Sequence, residues 1–577
     1  MRTMNDTITN NIYPKWNSFG DRSMEKMLLL FADTRKAHAA AGDTEELEKY
    51  FSFAEAAGSS FDWVQLHSGY FFNHAPFENY PDSGVEIDEK TNVFLDKAIK
   101  ICKRNGKKVS YMMGDYSPLD CLLERYPQVR NLNNGLFWDL MYDAACGILK
   151  RFPDLDELAM YFFESKNLLH YNNFFGCMNY GLNFNEDTLT GHPELVMEQE
   201  GKSFPYLSFG DHLRMMLQAV ARACRDCGKS FTLLTHVWFP YQEEVLYEAL
   251  RDFPADLPLL LEHNYTTGDF NPALPAPGLI KRLPHLKHGI CFCCGMEYHG
   301  LSLVPCCFPE AMEATIHDAM ESTLNLERIT VRPIWDGQSL LGSPNEINLY
   351  YLLKMADQPD IDPEEIWKEW IQGKYDLCDE ESAELLASAF RKSYKVVQNV
   401  FFEFGVRTND HSHIPDFAHL ESRFFNYGKA LIKWSPTPEN KQNIYDLLIH
   451  PGDKILRLHR ELHEESLELI EHALEQIKSL EGCMRWKDYE DVVRRYEDMR
   501  IWVLLHQDEY ESYIRLLIQR RNPTERNRKL AECALSSLEE KTKKIRNGEI
   551  RDCYLFSIDH IESFIEECRS NFSINRR

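Results

Sequence analysis

Between Met27 and Ile334 eight short apolar segments recur, at 27–32, 61–66, 109–113, 158–163, 231–234, 259–261, 290–294 and 329–334, each followed by a more polar stretch. Most of these runs are apolar at consecutive positions, the mark of strands covered on both faces. Intervening stretches such as 91–105 and 209–228 are long enough for the crossover helices that parallel strands require. This alternation predicts an α/β fold: a (β/α)8 TIM barrel over residues 25–347, with 1–24 as a lead-in.

A chain of 577 residues exceeds what one hydrophobic core usually organises, so a second unit is expected. Beyond about Asn348 the pattern changes to long amphipathic helices, clearest where Ile455, Leu458, Leu462, Leu469, Ala473, Ile477 and Leu480 fall on one helical face. Residues 348–577 therefore read as a C-terminal all-α domain.

A formal charge of -26 argues against nucleic acid as a partner, because phosphate binding needs clustered Lys and Arg. Residues 1–16 lack the charged start, apolar middle and small-residue cleavage pattern of a signal peptide, and the run 27–32 is too short to span a bilayer. A cytoplasmic chain with no membrane partner is expected. Its 16 cysteines read as reduced thiols that pack as small hydrophobes.

Polar residues sit at or just past the ends of the apolar runs: Asp33, His67, Asp115, Glu164, His236, Glu262 with His263, Glu297 and Asp336. In a barrel of this kind the C-terminal strand ends and their loops form the catalytic mouth. Asp33 and Asp115 read as caps of the following helices. Glu164, Asp269 and Glu297 follow three separate strands, and several facing carboxylates are what glycoside hydrolysis needs. One carboxyl, kept protonated by apolar neighbours such as Tyr161, Phe162 and Phe163, gives its proton to the leaving oxygen; an ionised one activates water.

At these residues the chain resembles glycoside hydrolase family 67, the α-glucuronidases that remove glucuronic acid side groups from xylan fragments. Gly268-Asp269-Phe270 is similar to that family's Gly-Pro-Ile-Asp-Phe segment, and Met296-Glu297-Tyr298-His299-Gly300 to its Gln-Glu-Tyr-x-Gly segment one strand later. Glu164 stands where the family has its acid, among different neighbours. Asn348-Leu349-Tyr350 and Ile366-Trp367-Lys368-Glu369-Trp370-Ile371 resemble the start of the family's helical domain. The resemblance spans roughly residues 61–404. It implies Glu164 as general acid, Asp269 and Glu297 as holders and activators of the attacking water, inversion at the anomeric carbon, and no metal or other cofactor. It also allows a homodimer through the helical domain.

The departures from the family are specific. Its N-terminal β-rich domain is expected to be missing, since the first strand candidate begins near Met27. The Lys and Arg that grip the uronate correspond here to Met160, Val237 and Asn264, so uronate selectivity is in doubt and a neutral sugar is an alternative. Lys166, Arg332 and His236 are the nearest replacement cations in sequence, and the long connection 167–209 reads as a lid over the sugar pocket. Trp63, Tyr70, Trp238, Tyr241, Tyr298 and Trp335 are candidates for an aromatic sugar platform, or for packing at the barrel mouth. His67, His263 and His299 either bind sugar hydroxyls or pair within the rim. The substrate-binding set is thus His67, Trp238, His263, Asn264, Tyr298, His299 and Trp335, acting on a small oligosaccharide or glycoside.

Two rival readings belong to other classes. A metal-dependent hydrolase would need His411 with His413, or Cys224 with Cys227, but the first pair falls after the barrel and the second within a helix. A non-catalytic carbohydrate-binding barrel has little reason to keep three carboxylates together, given the desolvation they cost.

Overall fold

The computed structural model describes residues 22–31, 44–115, 119–130, 135–162, 198–199, 202–203, 209–235, 240–264, 278–401 and 451–574, with a few single positions between 403 and 446. Eight parallel strands close into a barrel: β1 (Glu25–Phe31), β2 (Trp63–Tyr70), β3 (Lys108–Asp115), β4 (Glu157–Phe162), β5 (Ser230–Thr235), β6 (Leu260–Asn264), β7 (Lys287–Cys293) and β8 (Leu326–Arg332). They neighbour one another in chain order, and β8 pairs with β1 to complete the ring, Glu25 opposite Arg328 and Leu28 opposite Val331. All eight expected strands are present, and the predicted TIM barrel is the observed fold.

Helices follow the strands: α1 (Thr44–Ala56), α2 (Glu89–Arg104), α3 (Leu136–Arg151), α4 (Phe209–Asp226), α5 (Pro240–Leu250), α6 (Gly278–Arg282), α7 (Pro309–Ser322) and α8 (Glu346–Asp357). The cap of α2 shows the local logic. Asp88 accepts a hydrogen bond from the Thr91 amide, and Lys103 and Arg104 lie in the last turn, where they complement the helix dipole. The C-terminal part of the chain is helical: α9 (Pro363–Tyr375), α10 (Glu380–Phe401), α11 (Asp453–Lys478), α12 (Trp486–Arg521), α13 (Glu525–Arg546) and α14 (Ile558–Ile574). No helix among the described residues is long and apolar enough to cross a membrane.

The buried face of α11 departs from expectation. Leu458, Leu462 and Leu469 are only partly buried, while Ile455, His459, His463, Ser466, Ile470, Ala473 and Ile477 are buried. Two histidines thus occupy the centre of a face that apolar spacing alone assigns to leucine.

Contacts that cross the barrel identify which side chains point inward. Arg328 on β8 donates two hydrogen bonds to Glu157 on β4, both at 3.1 Å, although these strands lie on opposite sides of the ring. Thr330 donates to Glu262 on β6, with β7 intervening. Leu29, Met112, Ala159, Tyr161, Leu234 and Cys291 form a separate apolar cluster drawn from five strands. Since strand side chains alternate faces, these residues set the inward phase of their strands. Gly289 makes room for the charged members of that interior: a Cβ there would stand 3.3 Å from Glu262 Oε1 and 3.4 Å from the Arg328 Cβ.

Candidate active site

The inward phase of β8 runs from Arg328 through Thr330 to Arg332, its last residue, at the C-terminal end of the barrel. There Arg332 meets Glu297 from the connection after β7, with Nη2 3.2 Å from Oε2. Arg332 is 2% exposed and Glu297 6%, so the pair is held away from bulk water. The guanidinium also lies 5.4 Å from the centre of the Trp335 ring. Across the lumen, His67 from β2 and Tyr161 from β4 meet edge to face, ring centres 6.5 Å apart, with β3 between their strands. Glu297, Arg332, Trp335, His67 and Tyr161 are thus among the described side chains at the mouth.

The segment carrying Glu297 is fixed by side chains from later in the chain. Asn345 accepts a hydrogen bond from the Cys306 amide at 2.7 Å and donates to the Gly295 carbonyl at 3.3 Å. Asn348 accepts from the Phe308 amide at 2.9 Å and donates to the Cys306 carbonyl at 2.9 Å. Ser412 donates to the Glu297 carbonyl at 2.8 Å and accepts from the Gly300 amide at 2.9 Å. This packing leaves no room at Gly295, whose φ is +93° and where a Cβ would meet the Asn345 amide nitrogen at 3.0 Å. Only glycine adopts such a conformation at low cost.

The sequence-predicted residues divide three ways. Glu297 and Trp335 stand at the mouth beside Arg332, and His67 faces the lumen. His263 points away from the lumen, and His299 packs against Phe308. Glu262 faces inward, so its neighbour His263 faces out, where its Nε2 lies 3.1 Å from His288 Nδ1. His288 in turn bonds the Leu283 carbonyl at 2.8 Å. Burial, with His288 alongside, holds His263 well below the usual imidazole range, and the pair ties β6 to β7 and to the turn after α6. His299 stacks on Phe308, which stacks on Tyr394 of α10, each at 5.1 Å between ring centres. Tyr298 is buried, and Trp63 opens β2 at the opposite end of the barrel, under Arg328. Glu164, Asp269, Trp238, Lys166, His236 and most of the 167–209 connection lie outside the described residues, as does the side chain of Asn264.

A cleft of ≈ 1220 Å³ opens at the N-terminal end of the barrel, lined by Lys26, Trp63, Lys108, Glu157, Lys287 and Arg328 among others. Its charges satisfy one another: Arg328 with Glu157, Lys26 with Asp357, Lys108 with Glu25 and Lys287 with Glu327. Those pairings, at the N-terminal floor of the barrel, fit the stabilising role usual for that end.

Arg332 was identifiable only as one of three cations near the strand ends; its partnership with Glu297 depends on the closure of β8 beside β7. Asn345 and Ser412 carry no sequence signal that separates a loop clamp from an ordinary polar residue, and Asn348 stands out only as part of the Asn-Leu-Tyr resemblance.

No protein-family model matches the chain, and no curated protein matches it in sequence. Among solved structures it is similar to a GH138 enzyme targeting pectin rhamnogalacturonan II, at 12% identity and a TM-score of 0.58, over 96% of this chain and 85% of that one. A GH115 4-O-methyl-α-glucuronidase with specificity for decorated arabinogalactans is matched at 10% identity and a TM-score of 0.42, over 96% of this chain and 62% of the other. An O-GlcNAc hydrolase of Thermobaculum terrenum is matched at 11% identity and a TM-score of 0.39, over 96% of each chain. At 12% identity the likeness to the GH138 enzyme is one of fold.

Proposed function

We propose that this chain is an inverting glycoside hydrolase acting on a small oligosaccharide or glycoside, with Glu164, Asp269 and Glu297 as its acid and base machinery. The observation that carries the reading is the buried Glu297–Arg332 pair at the C-terminal mouth of the barrel, 3.2 Å between Nη2 and Oε2. A carboxylate held in place by a guanidinium is positioned to accept a hydrogen bond from water, the role this proposal gives Glu297. That leaves the acid role to Glu164, which follows β4 beyond Tyr161. Asp269 follows β6 and shares the water with Glu297. The GH138 fold likeness supports the same reaction class.

The sugar is the open choice within this proposal. Arg332 supplies a cation at the mouth, and it is already engaged by Glu297. Hydrolysis of a panel of α- and β-linked aryl glycosides, uronic and neutral, with the anomeric products followed by NMR, tests both points. Inverting release of a uronic acid assigns Arg332 to the substrate carboxylate; inverting release of a neutral sugar assigns it to positioning Glu297. Retention of configuration refutes the water-activating role of Glu297. Glu164→Gln, Asp269→Asn and Glu297→Gln are each expected to fold and to lose most turnover; near-full activity in any one removes its assigned role.

A further inference from the structure

A second concentration of chemistry lies far from the mouth in sequence, inside the helical region. Glu403 follows α10, His459 and His463 sit one turn apart on α11, and His506 lies on α12. None of the four is more than 1% exposed. Spacing of four residues puts His459 and His463 on one helix face. One ligand-capable atom from each of Glu403, His459 and His463 lies within 4.8 Å of the other two.

The hydrogen bonds dictate which nitrogens carry lone pairs. His463 Nδ1 lies 2.9 Å from the His459 carbonyl, and His459 Nε2 lies 3.0 Å from the Gln507 carbonyl. A carbonyl only accepts, so both nitrogens carry hydrogen. His463 Nε2 is then a bare acceptor, and His459 Nδ1 is bare unless the ring is protonated. His459 Nδ1 stands 2.7 Å from Glu403 Oε1, a contact satisfied either by a proton between the two atoms or by a metal ion beside both. His463 Nε2 is 3.2 Å from His506 Nδ1, close to the separation of two nitrogens that share an ion at bond lengths of about 2.0–2.1 Å. Glu403 Oε2 and His506 Nε2 have no hydrogen-bond partner among the described residues. Backbone carbonyls that orient the non-coordinating nitrogen are the usual outer partners of metal-bound histidines.

We propose that Glu403, His459 and His463 bind one zinc-type divalent transition-metal ion, with His506 placed as a fourth ligand, and that the ion ties α11 and α12 to the segment after α10. Imidazole and carboxylate donors suit such an ion, and a closed, buried donor set is the form of a structural site. His459 and His463 lie beyond residues 61–404, the part of the chain covered by the sequence resemblance that implies no metal.

The test uses the full chain without an affinity tag. After treatment with chelator and dialysis, added Zn2+ or Co2+ is expected to bind at one equivalent per chain and to raise the unfolding temperature. His459→Gln with His463→Gln is expected to lose that equivalent, and His472→Gln, an exposed histidine of the same helix, to keep it. X-ray absorption on the Co2+-loaded wild type reads the ligands without mutation, and at least two imidazoles at about 2.0–2.1 Å are expected. No stoichiometric binding by the wild type overturns the proposal. So does a folded double variant that keeps one equivalent, or a shell of oxygen ligands only.

Discussion

Glu262 is wholly buried inside the barrel, where it accepts a hydrogen bond from Thr330. Burial pushes its carboxyl up from 4.5 to about 7, against the opposing pull of Arg328 and the Thr330 hydroxyl. An acid whose folded value is raised favours the fold most below its unfolded value, and that contribution is lost as the pH rises through the folded one. The shift from 4.5 to about 7 corresponds to about 3 kcal/mol once both states are ionised. Glu262→Gln keeps the shape and an oxygen that accepts from Thr330, and it removes the titration. Urea unfolding of wild type and variant at pH 5 and pH 8 isolates the effect from all other groups. The stability difference is expected to move by about 2–3 kcal/mol in favour of the variant between those two conditions. A difference that stays constant with pH refutes the reasoning, because it means that Glu262 is equally willing to ionise in the folded and unfolded chain.

Gly295→Ala is expected to cost about 1–3 kcal/mol, from its φ of +93° and its contact with Asn345, and to lower turnover by shifting Glu297; thermal unfolding and initial rates check both. Arg332→Met leaves Glu297 buried without its guanidinium and is expected to cost about 3–5 kcal/mol. Adding Glu297→Gln to Arg332→Met should return part of that loss, so a double-mutant cycle by denaturant unfolding is expected to show coupling above about 0.5 kcal/mol.

The barrel is legible in the sequence because strands covered on both sides need apolar residues at nearly every position. The strand ends are less so, and for a physical reason. The barrel floor is charged, so Glu157, Lys287 and Arg328 interrupt the apolar pattern at positions that are nonetheless in strand. Glu262 and His263 show the second limit. As neighbours in sequence they look equally placed for a site, yet alternation sends one into the lumen and the other to His288. Phase emerges only when partners across the ring are known. On α11 the apolar stripe locates a buried face to within one position, and that one position separates leucines from the histidines that occupy its centre.

Ser412 reaches back 115 residues to hold the Glu297 carbonyl, and Asn345 and Asn348 grip the same segment from just beyond the barrel. The reactive geometry of the mouth is therefore not a property of the barrel's own loops. A barrel severed from the helical region would lose the Ser412 tie to the Glu297 carbonyl, and a mouth grafted onto another barrel would need all three polar side chains to travel with it. The loop and its distant clamps form one mechanical unit, so a change in either is felt by the other.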